Sequence, residues 1–515
     1  MTTLSLIFLM PLFAAGVIAA MPRNLRFAIR LVALAATFFS LLLALKMFCQ
    51  FHVGAAGYQF EANFPWVESI GIRYHIGVDG INVGLVFMGA VVAFAATACA
   101  WEIREREKEF YLLLMVMSGG ILGAFASLDL FFFFFFHELA LIPTFIMIGV
   151  WGRGPDRNYA TFKMTLYLSL GALVALIGLL ALYAQSGAGT FDIPQLAEAL
   201  RRRPIAPGTQ HWIFGLLLFG FGILVSLWPF HTWAPLGYAA APTPTAMLHA
   251  GVLKKFGLYG LIRIALPLLP DAARSWAHII AVLCLGNILF VGLVAMRQKN
   301  LNLLIGNSSV AHMGFVFLGI ASLTLVGVTG AIFIMVAHGF LAALTFALSG
   351  YLYQQKETLE IRGMGGLLRQ LPFIGGVLIM AMLAGCGLPG FANFVGEVMV
   401  FFAAFKAFPF MTGLALWGGL VIGAVYMLRA IRAVLHGPLS GFWASARDAE
   451  GSWRRLPFLL LLICLLIFGC FPRILTDRIE RSARPLFSLS QPVERASGLS
   501  SAVVPAAAWA EKQGK

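Results

Sequence analysis

The sequence contains few charged residues: Asp, Glu, Lys and Arg make up 11% of its 515 residues, whereas hydrophobic residues make up 60%. A soluble protein of this length needs far more charge to cover its surface, so the composition excludes the soluble globular class. Apolar runs recur along the whole chain, each of roughly the 18–23 residues that cross about 30 Å of hydrocarbon. The composition therefore predicts an all-α polytopic membrane protein with about fourteen transmembrane helices.

Motifs that bind metals, clusters or nucleotides are also lacking. The six cysteines lie in or beside apolar runs, without a CxxC pair or a Cys/His cluster: Cys49, Cys99, Cys284, Cys386, Cys464 and Cys470. We therefore expect no zinc or iron–sulfur site and no disulfide framework. The sequence has no Walker loop and no dinucleotide fingerprint, so we expect no cofactor in this chain. Its energy must then come from an ion gradient or from partner subunits.

Basic residues give the chain a formal net charge of +14, but they lie in alternate short loops and form no nucleic-acid-binding arm. One set of loops holds Arg23, Arg26, Arg104, Arg106, Lys108, Arg153, Arg157, Arg297, Lys299, Lys356, Arg362, Arg369, Arg429, Arg432, Arg454 and Arg455. The opposite loops hold only about six, three of them in the run 201–203. By the positive-inside rule, the first set is cytoplasmic and both termini face the other side. Because the first twenty residues lack a basic segment, we expect a retained first helix.

The predicted spans are 4–20, 27–49, 80–100, 111–127, 130–150, 162–184, 211–230, 242–265, 277–296, 303–323, 327–352, 372–404, 410–434 and 455–471. Segment 51–79 is predicted to be a mixed loop, and 186–207 to include a short surface helix. After residue 473, Ser, Pro, Ala and charged residues replace the apolar runs, which predicts a tail with little fixed structure.

The seventh and twelfth spans are predicted to be broken. Pro229 and Pro235 bracket Phe230-His231-Thr232-Trp233-Ala234 in the seventh, and Gly387-Leu388-Pro389-Gly390 falls within the twelfth. Unwound backbone at membrane depth is tolerated only where protein or water satisfies it. Breaks five spans apart match inverted-repeat transporters, in which they mark the transport path, whereas ordinary proline kinks are the alternative. The predicted units are 1–110 (helices 1–3), 111–265 (first five-helix repeat), 277–435 (second repeat), 436–472 (helix 14) and 473–515 (flexible C-terminal tail).

Acidic residues inside apolar runs are candidates for function, because a central charge costs roughly 2.5–3.5 kcal/mol and so needs a partner, a water cavity or a task. Glu138 lies in span five and Glu397 in span twelve. A carboxyl group in dry surroundings holds its proton more strongly, so it can bind and release protons near neutral pH. For each glutamate, a protonated side chain with a purely structural hydrogen bond is the alternative.

Two adjacent lysines, Lys254 and Lys255, lie within span eight. Neighbouring helical positions are about 100° apart, so we expect one lysine to face the interior and the other the headgroups or another cavity. Burial favours a neutral amine that can accept and donate a proton, and snorkelling to the surface is the alternative.

Four histidines lie in or beside spans: His231, His249, His312 and His338. A neutral imidazole accepts on one nitrogen and donates on the other, as a proton relay requires. A satisfied structural histidine is the alternative for each. His338 is the best candidate, because it falls near the middle of span eleven.

Several of these residues belong to segments that resemble one family, in order over roughly residues 75–435. The segments are Phe-His-Glu-Leu-Ala-Leu-Ile-Pro-Thr (136–144), Gly-Val-Trp-Gly (149–152), Pro-Phe-His-Thr-Trp-Ala-Pro (229–235), Ala-Pro-Thr (241–243), Ala-Gly-Val-Leu-Lys-Lys (250–255), Tyr-Gly-Leu-Ile-Arg (259–263), Ser-Ser-Val-Ala-His-Met-Gly (308–314) and Gly-Leu-Pro-Gly-Phe-Ala-Asn-Phe-Val-Gly-Glu (387–397). Together they resemble the subunit M family of bacterial respiratory complex I, the proton-translocating NADH–quinone oxidoreductase. Individual pieces are shared with the related antiporter-like subunits and with Mrp cation/proton antiporters.

The resemblance implies a fourteen-helix subunit with two inverted five-helix units that carries protons along a central polar axis. It implies that Glu138 is the paired glutamate of helix five, Lys255 the lysine of helix eight, His338 the histidine of helix eleven and Glu397 the terminal acidic residue of helix twelve. NADH, FMN, iron–sulfur clusters and quinone are then expected in other subunits, with neighbouring antiporter-like subunits as partners in a bacterial inner membrane. Our hypothesis is a path from Lys255 through His338 to Glu397, with Glu138 setting the field or taking the incoming proton.

One position departs from the family pattern. The family places a lysine in helix seven, as partner to the helix-five glutamate, and here that position is Leu224. An unpaired buried Glu138 is biased toward its protonated form. Three explanations are open: Lys254 substitutes, a neighbouring subunit supplies the cation, or this copy has lost full pumping and keeps an architectural place.

Two other functions compete with the complex I hypothesis. The first is a subunit of an Mrp-type cation/proton antiporter, whose motifs overlap heavily. The second is a non-pumping membrane scaffold of a related hydrogenase or carbon-uptake complex, which Leu224 favours. The identity of the chains packed against this one discriminates among the three.

Overall fold

The fold is a bundle of long apolar helices. The structure is a computed structural model that describes residues 2–55 and 57–488. Twelve helices in this part of the chain are long and apolar enough to cross a membrane: Thr3–Ala20, Arg26–Gln50, Val83–Glu102, Glu107–Ala126, Leu130–Trp151, Arg157–Ser186, Pro207–Val225, Pro270–Arg297, Leu301–Ala321, Leu325–Lys356, Pro409–Leu435 and Ser452–Cys470. The prediction of a helical polytopic membrane protein is confirmed.

The α-helices are numbered in chain order: α1 (Thr3–Ala20), α2 (Arg26–Gln50), α3 (Val83–Cys99), α4 (Glu107–Ala126), α5 (Leu130–Trp151), α6 (Arg157–Ser186), α7 (Ile193–Arg202), α8 (Pro207–Val225), α9 (Trp233–Ala240), α10 (Thr243–Gly251), α11 (Phe256–Gly260), α12 (Leu266–Leu268), α13 (Pro270–Leu285), α14 (Gly292–Arg297), α15 (Leu301–Ala321), α16 (Leu325–Lys356), α17 (Leu367–Gln370), α18 (Pro372–Gly385), α19 (Ala392–Ala407), α20 (Pro409–Trp417), α21 (Ala424–Leu435), α22 (Ser452–Cys470) and α23 (Arg473–Ser488). Single π-helical turns at Leu261–Ala265, Gly286–Val291 and Gly418–Gly423 join α11 to α12, α13 to α14 and α20 to α21.

Three helices form the centre of the bundle. The apolar stretch of α16 is 100% buried inside the protein, that of α15 is 94% buried and that of α3 is 89% buried, whereas α2 and α6 are 39% buried. A helix that is apolar all round and fully enclosed belongs to the core, and a half-buried one faces lipid. Side chains on α15 and α16 are therefore shielded from both lipid and bulk water.

The predicted break in the seventh span is present. Helix α8 ends at Val225, Ser226 adopts a left-handed conformation with φ 70°, and α9 begins at Trp233. Asn287 satisfies the unwound backbone, because its Oδ1 accepts from the Trp228 amide at 2.6 Å and its Nδ2 donates to the Ser226 carbonyl at 3.1 Å. A neighbouring π-helical turn thus supplies the hydrogen bonds that lipid cannot.

A second break, which the sequence analysis missed, interrupts the segment predicted as span eight. Helix α10 ends at Gly251, Val252 is non-helical with φ −123° and ψ −62°, and Leu253–Lys255 form a 3₁₀ turn before α11. This break leaves carbonyl groups at the end of α10 available to side chains.

The predicted break in the twelfth span is also present. Helix α18 ends at Gly385 and α19 begins at Ala392. Gly387 and Gly390 between them have φ values of 70° and 98°, which favour glycine. The apolar run of 372–404 is therefore two helices joined by an unwound loop.

Two segments differ from the sequence-based expectations. The predicted loop 51–79 contains an antiparallel hairpin, in which β1 (Gln59–Val67) pairs with β2 (Ile72–Val78) around a turn at Gly71. The predicted tail was wrong over 473–488, which form the amphipathic helix α23. Its Leu475, Ile479 and Ala483 recur every four residues and are buried against the bundle. The rest of the predicted tail lies outside the described residues. The predicted surface helix is confirmed as α7, which Asp192 caps by accepting from the Gln195 amide.

Candidate functional site

Lys255 and His338 meet in the centre of the bundle. Lys255 Nζ lies 3.0 Å from His338 Nδ1 and donates to the Ala250 carbonyl at 2.6 Å. Both side chains are buried, Lys255 with 0% and His338 with 2% of its surface exposed. The Ala250 carbonyl accepts this bond because α10 ends one residue later. The break thus leaves the Ala250 carbonyl free to accept the hydrogen bond from Lys255 Nζ.

His312 extends this contact across the bundle. Its ring centroid lies 5.5 Å from that of His338, and its Nε2 lies 3.1 Å from the Gly385 carbonyl at the end of α18. Its Nδ1 lies 2.8 Å from the Ser308 carbonyl and 3.3 Å from the Ser308 hydroxyl. When Nδ1 is protonated it donates to the carbonyl, and when it is bare it accepts from the hydroxyl. The surroundings therefore satisfy His312 with and without the extra proton.

Lys255, His338, His312 and Glu397 form a row of ionisable side chains through the bundle. Glu397 lies at its far end, beyond His312. Its Oε1 is 3.9 Å from His312 Nε2, its side chain is 9% exposed, and Oε1 has no hydrogen-bond partner among the described residues. A cavity of about 10 Å³ lies beside it, lined in part by His312, Cys386 and Tyr426. That volume is about the minimum that holds one water molecule. A single water is therefore enough to join the carboxyl group to its neighbours.

Lys254 points into the protein on another side of the same turn. Its Nζ donates to the carbonyl and hydroxyl oxygens of Ser309, at 3.2 and 3.3 Å, and lies 5.5 Å from the centre of the Tyr238 ring. Of the two expected places for the second lysine, the headgroups or another cavity, the headgroups are ruled out, since Lys254 is 1% exposed. The segment runs through the bundle interior, so protein surrounds both faces of the 3₁₀ turn.

Among the described residues, His249 and His231 make no side-chain hydrogen bond to a member of the row. The His249 ring stacks on Trp233 at 5.5 Å and meets Tyr238 edge-on at 5.3 Å. His231 is 6% exposed. The Nδ1 atoms of both rings are buried without a hydrogen-bond partner in the described part of the chain. Tyr238 thus contacts both His249 and Lys254, which makes a separate polar cluster.

Glu138 faces outward from α5. Its side chain is 29% exposed, and its Oε1 lies 3.1 Å from Nδ1 of the adjacent His137. The same face of α5 exposes Phe135 and Ile142. Within residues 2–55 and 57–488, no ion pair joins Glu138 to a lysine or arginine, Lys254 included. The structure therefore brings together Lys255, His338, His312 and Glu397, and leaves Glu138 at the surface of the bundle.

Leu224 occupies the last turn of α8 and is 3% exposed. An apolar side chain fills this buried position without leaving a polar atom unsatisfied. The explanation that Lys254 replaces the absent lysine finds no support in bonding, because the hydrogen bonds of Lys254 go to Ser309.

Sequence reasoning missed a second buried charge pair. Arg263 donates from both Nη atoms to Asp79, at 2.7 and 2.6 Å, and from Nε to the Tyr259 hydroxyl at 3.2 Å. The signal was an arginine inside the apolar run of span eight. Its partner lies at the start of α3, far away in sequence, so no spacing rule connects the two.

A family model described as NADH:quinone oxidoreductase/Mrp antiporter, transmembrane region, matches residues 127–423. Among curated proteins, the chain is 34% identical over 496 residues to NADH-quinone oxidoreductase subunit M of Rhodobacter capsulatus, covering 94% of this chain and 96% of that protein. It is also 34% identical over 507 residues to NAD(P)H-quinone oxidoreductase chain 4 1 of a Picosynechococcus species, covering 94% and 93%.

Chains of two solved complexes have a similar fold. A chain of respiratory complex I from Thermus thermophilus aligns with a TM-score of 0.85 at 26% identity, covering 94% of this chain and 99% of that chain. A chain of the Mrp complex from a Dietzia species aligns with a TM-score of 0.81 at 20% identity, covering 95% and 98%. At that identity the second match shows a shared fold alone.

Proposed function

The chain belongs to the NADH:quinone oxidoreductase/Mrp antiporter membrane family, and from this premise we propose that it is a proton-translocating, subunit M-type component of complex I. Redox chemistry in partner subunits then drives protons through the buried groups of this chain. The Mrp alternative is weaker, because the identity to the Mrp structure is 20%, whereas that to the Rhodobacter capsulatus subunit M is 34%.

One observation carries the proposal: four ionisable side chains form a row through the interior of a membrane bundle. Lys255 and His338 are 3.0 Å apart, and His312 and Glu397 are 3.9 Å apart. Placing an ionisable group at membrane depth costs roughly 2.5–3.5 kcal/mol, so four adjacent ones need a common task. Each group gains and loses protons, which makes proton transfer the task that they share.

The row supports the following sequence of steps. The Lys255 ammonium group hands a proton to His338 Nδ1 along their direct contact. His338 passes it to His312, through a water or a ring rotation, since the ring centroids are 5.5 Å apart. His312 releases it to Glu397 across the small cavity. The Ser308 hydroxyl and carbonyl satisfy the two states of His312, so His312 Nδ1 keeps a partner during transfer.

The two broken segments support the finer topology. Counting α10–α12 and α18–α19 as one span each adds two crossings to the twelve long helices, which gives fourteen. Fourteen crossings would put both ends of the bundle on one side, and the positive-inside rule applied to the loop arginines supports a non-cytoplasmic location for that side. Breaks in the corresponding units 111–265 and 277–435 fit two inverted five-helix repeats.

The partners follow from the same family membership. We infer neighbouring antiporter-like subunits in the membrane, and NADH, FMN, iron–sulfur clusters and quinone in other chains of the complex. A bacterial inner membrane is the matching location. The chain would thus be part of an enzyme without holding its redox site.

Affinity purification of the tagged chain from its native membrane tests this assignment. We expect flavin, iron–sulfur and quinone-reducing subunits to co-purify, together with NADH–quinone oxidoreductase activity. Co-purification of cation/proton antiporter chains without flavin or iron would establish the Mrp alternative. A complex that reduces quinone but translocates no protons would establish the scaffold alternative.

Leu224→Lys tests the explanations for the absent lysine. An ammonium group at this buried position costs several kcal/mol unless a carboxylate compensates it. If the new group reaches Glu138, we expect the complex to assemble and its proton/electron ratio to rise. Leu224→Met, which conserves volume and adds no charge, is the control. An unchanged proton/electron ratio in an assembled Leu224→Lys complex would show that the absent partner is irrelevant.

A further inference from the structure

An arginine-lined cavity lies on the side of the bundle where α2 ends and α3 begins. Its volume is about 850 Å³, and its walls come from the loop before β1, from α7, from the end of α12 and from α23. Among the residues that the structure describes, Asp79 is the only acidic one that lines it, and five arginines do so: Arg201, Arg263, Arg478, Arg481 and Arg484. The cavity is therefore strongly positive.

Two of these arginines are already neutralised. Arg263 is paired with Asp79 at 2.6 Å, and Arg484 is paired with Glu480 at 2.8 Å. The other three, Arg201, Arg478 and Arg481, have no carboxylate partner among the described residues. Three unbalanced cations that converge on one cavity fit an anion.

Arg478 is incompletely hydrogen-bonded in this arrangement. Its guanidinium group lies over the Phe48 ring at 4.6 Å. One Nη donates to the Phe48 carbonyl at 3.3 Å and the other to the Ile474 carbonyl, whereas its buried Nε has no partner in the described residues. Burial lowers the pKa of Arg478, because the charged group loses hydration there. An anion that accepts a hydrogen bond from Nε would give this atom a partner and would compensate the charge for its lost hydration.

Membrane topology does not explain these arginines. Short loops on the non-cytoplasmic side are poor in Lys and Arg, and the proposed orientation of the chain puts this cavity on that side. Arg201 and the arginines of α23 are therefore exceptions to the pattern that accounts for the other basic loops. Charges that topology disfavours call for a ligand.

The position of the cavity identifies the class of ligand. Its walls lie where membrane helices begin and end, which is the depth of lipid headgroups. Apolar side chains stand beside the arginines: Phe51, Ile193, Leu268 and Leu486. A guanidinium group binds phosphate oxygens in a fork, and an apolar wall suits the glycerol and the first methylenes of a lipid. Basic pockets between membrane helices bind lipid headgroups by this combination.

We propose that this cavity binds the phosphate of an anionic phospholipid headgroup through Arg201, Arg478 and Arg481. The bound lipid would join α7, α23 and the loop before β1, which are distant in sequence. Its role is separate from proton transfer, because none of the four residues of the row lines the cavity.

Native mass spectrometry of the purified complex, titrated with phosphatidylglycerol or phosphatidylcholine after delipidation, tests the proposal. Each arginine near a membrane surface contributes about fivefold to the affinity for an anionic lipid, so Arg201→Gln combined with Arg481→Gln should weaken phosphatidylglycerol binding about 25-fold. Both side chains are exposed, so the double variant should still fold. The matched control is Arg362→Gln with Arg369→Gln, a pair of exposed arginines in another loop.

Three outcomes would overturn the proposal. The first is equal phosphatidylglycerol binding by the double variant and the control. The second is displacement of the lipid by millimolar inorganic phosphate with free phosphate retained, which would make this a phosphate site. The third is cross-linking of a cysteine at position 201 to an acidic segment of another subunit. Lipid occupancy is measured without pumping, so failure here leaves the proposed function untouched.

Discussion

Glu397→Gln is expected to reduce proton flux through this chain about 100-fold or more, which is the usual contribution of a positioned proton-transfer group. The amide keeps the size of the side chain but cannot bind and release a proton. Because Oε1 has no hydrogen-bond partner among the described residues, the substitution breaks no bond to that atom. The complex should therefore assemble and still reduce quinone.

The measurement is the proton/electron ratio of the assembled complex in sealed vesicles. Glu105→Gln, at an exposed position before α4, is the matched control and should leave the ratio unchanged. If Glu397→Gln kept the full ratio, the carboxyl group would lie outside the path. The row would then end at His312.

Lys255→Met is the second substitution with a large expected effect, again about 100-fold or more on proton flux. Methionine fills a similar volume without a titratable group, but it leaves the Ala250 carbonyl and His338 Nδ1 without their donor. A buried polar atom left in this way costs about 1–3 kcal/mol, which a bundle of this size tolerates. The loss should therefore appear in pumping more than in assembly.

Lys254→Met makes this test selective. Lys254 bonds to Ser309 and not to a group of the row, so its loss should reduce the proton/electron ratio much less. Lys299→Met, at an exposed loop position, is the control for the loss of a lysine elsewhere. A severe defect in Lys254→Met with normal pumping in Lys255→Met would reverse the assignment of the two lysines.

The sequence was enough to find the members of the site, because an ionisable residue in an apolar run stands out. Glu397, Lys255 and His338 were identified in this way, and His312 was among the candidates. The place of His312 between His338 and Glu397 depends on how α15 packs against α16 and α18. Contacts between helices that are distant in sequence leave no mark on local spacing, so the place of His312 in the predicted path from Lys255 through His338 to Glu397 was not predictable.

The breaks in the helices were also predictable only in part. The breaks after Val225 and Gly385 were predictable, because proline or paired glycines lie there. The break at Val252 has no proline, and valine is common in apolar spans. The residue type at this position therefore gives no sign of a break. It becomes visible only when Lys255 is seen to bond to the Ala250 carbonyl. The expectation that Lys254 and Lys255 lie about 100° apart assumed an unbroken helix.

Surface elements were harder to predict than spans. Ser, Pro, Ala and charged residues replace the apolar runs after residue 473, and this composition was taken to indicate a tail. The fourfold spacing of Leu475, Ile479 and Ala483 was the available signal of an amphipathic helix. The hairpin of β1 and β2 mixes polar and aromatic residues without strict alternation, and its pairing contains register shifts, which explains why it resembled a loop.

Gly387 limits how the loop between α18 and α19 can change. Its φ of 70° disfavours any side chain, and a Cβ atom built there would lie 2.6 Å from Glu397 Oε2. Even alanine would therefore push the carboxylate out of place while leaving every titratable residue intact. A bulkier residue at this position would force the acidic group into another rotamer, so a single backbone angle sets where the carboxylate of this chain can lie.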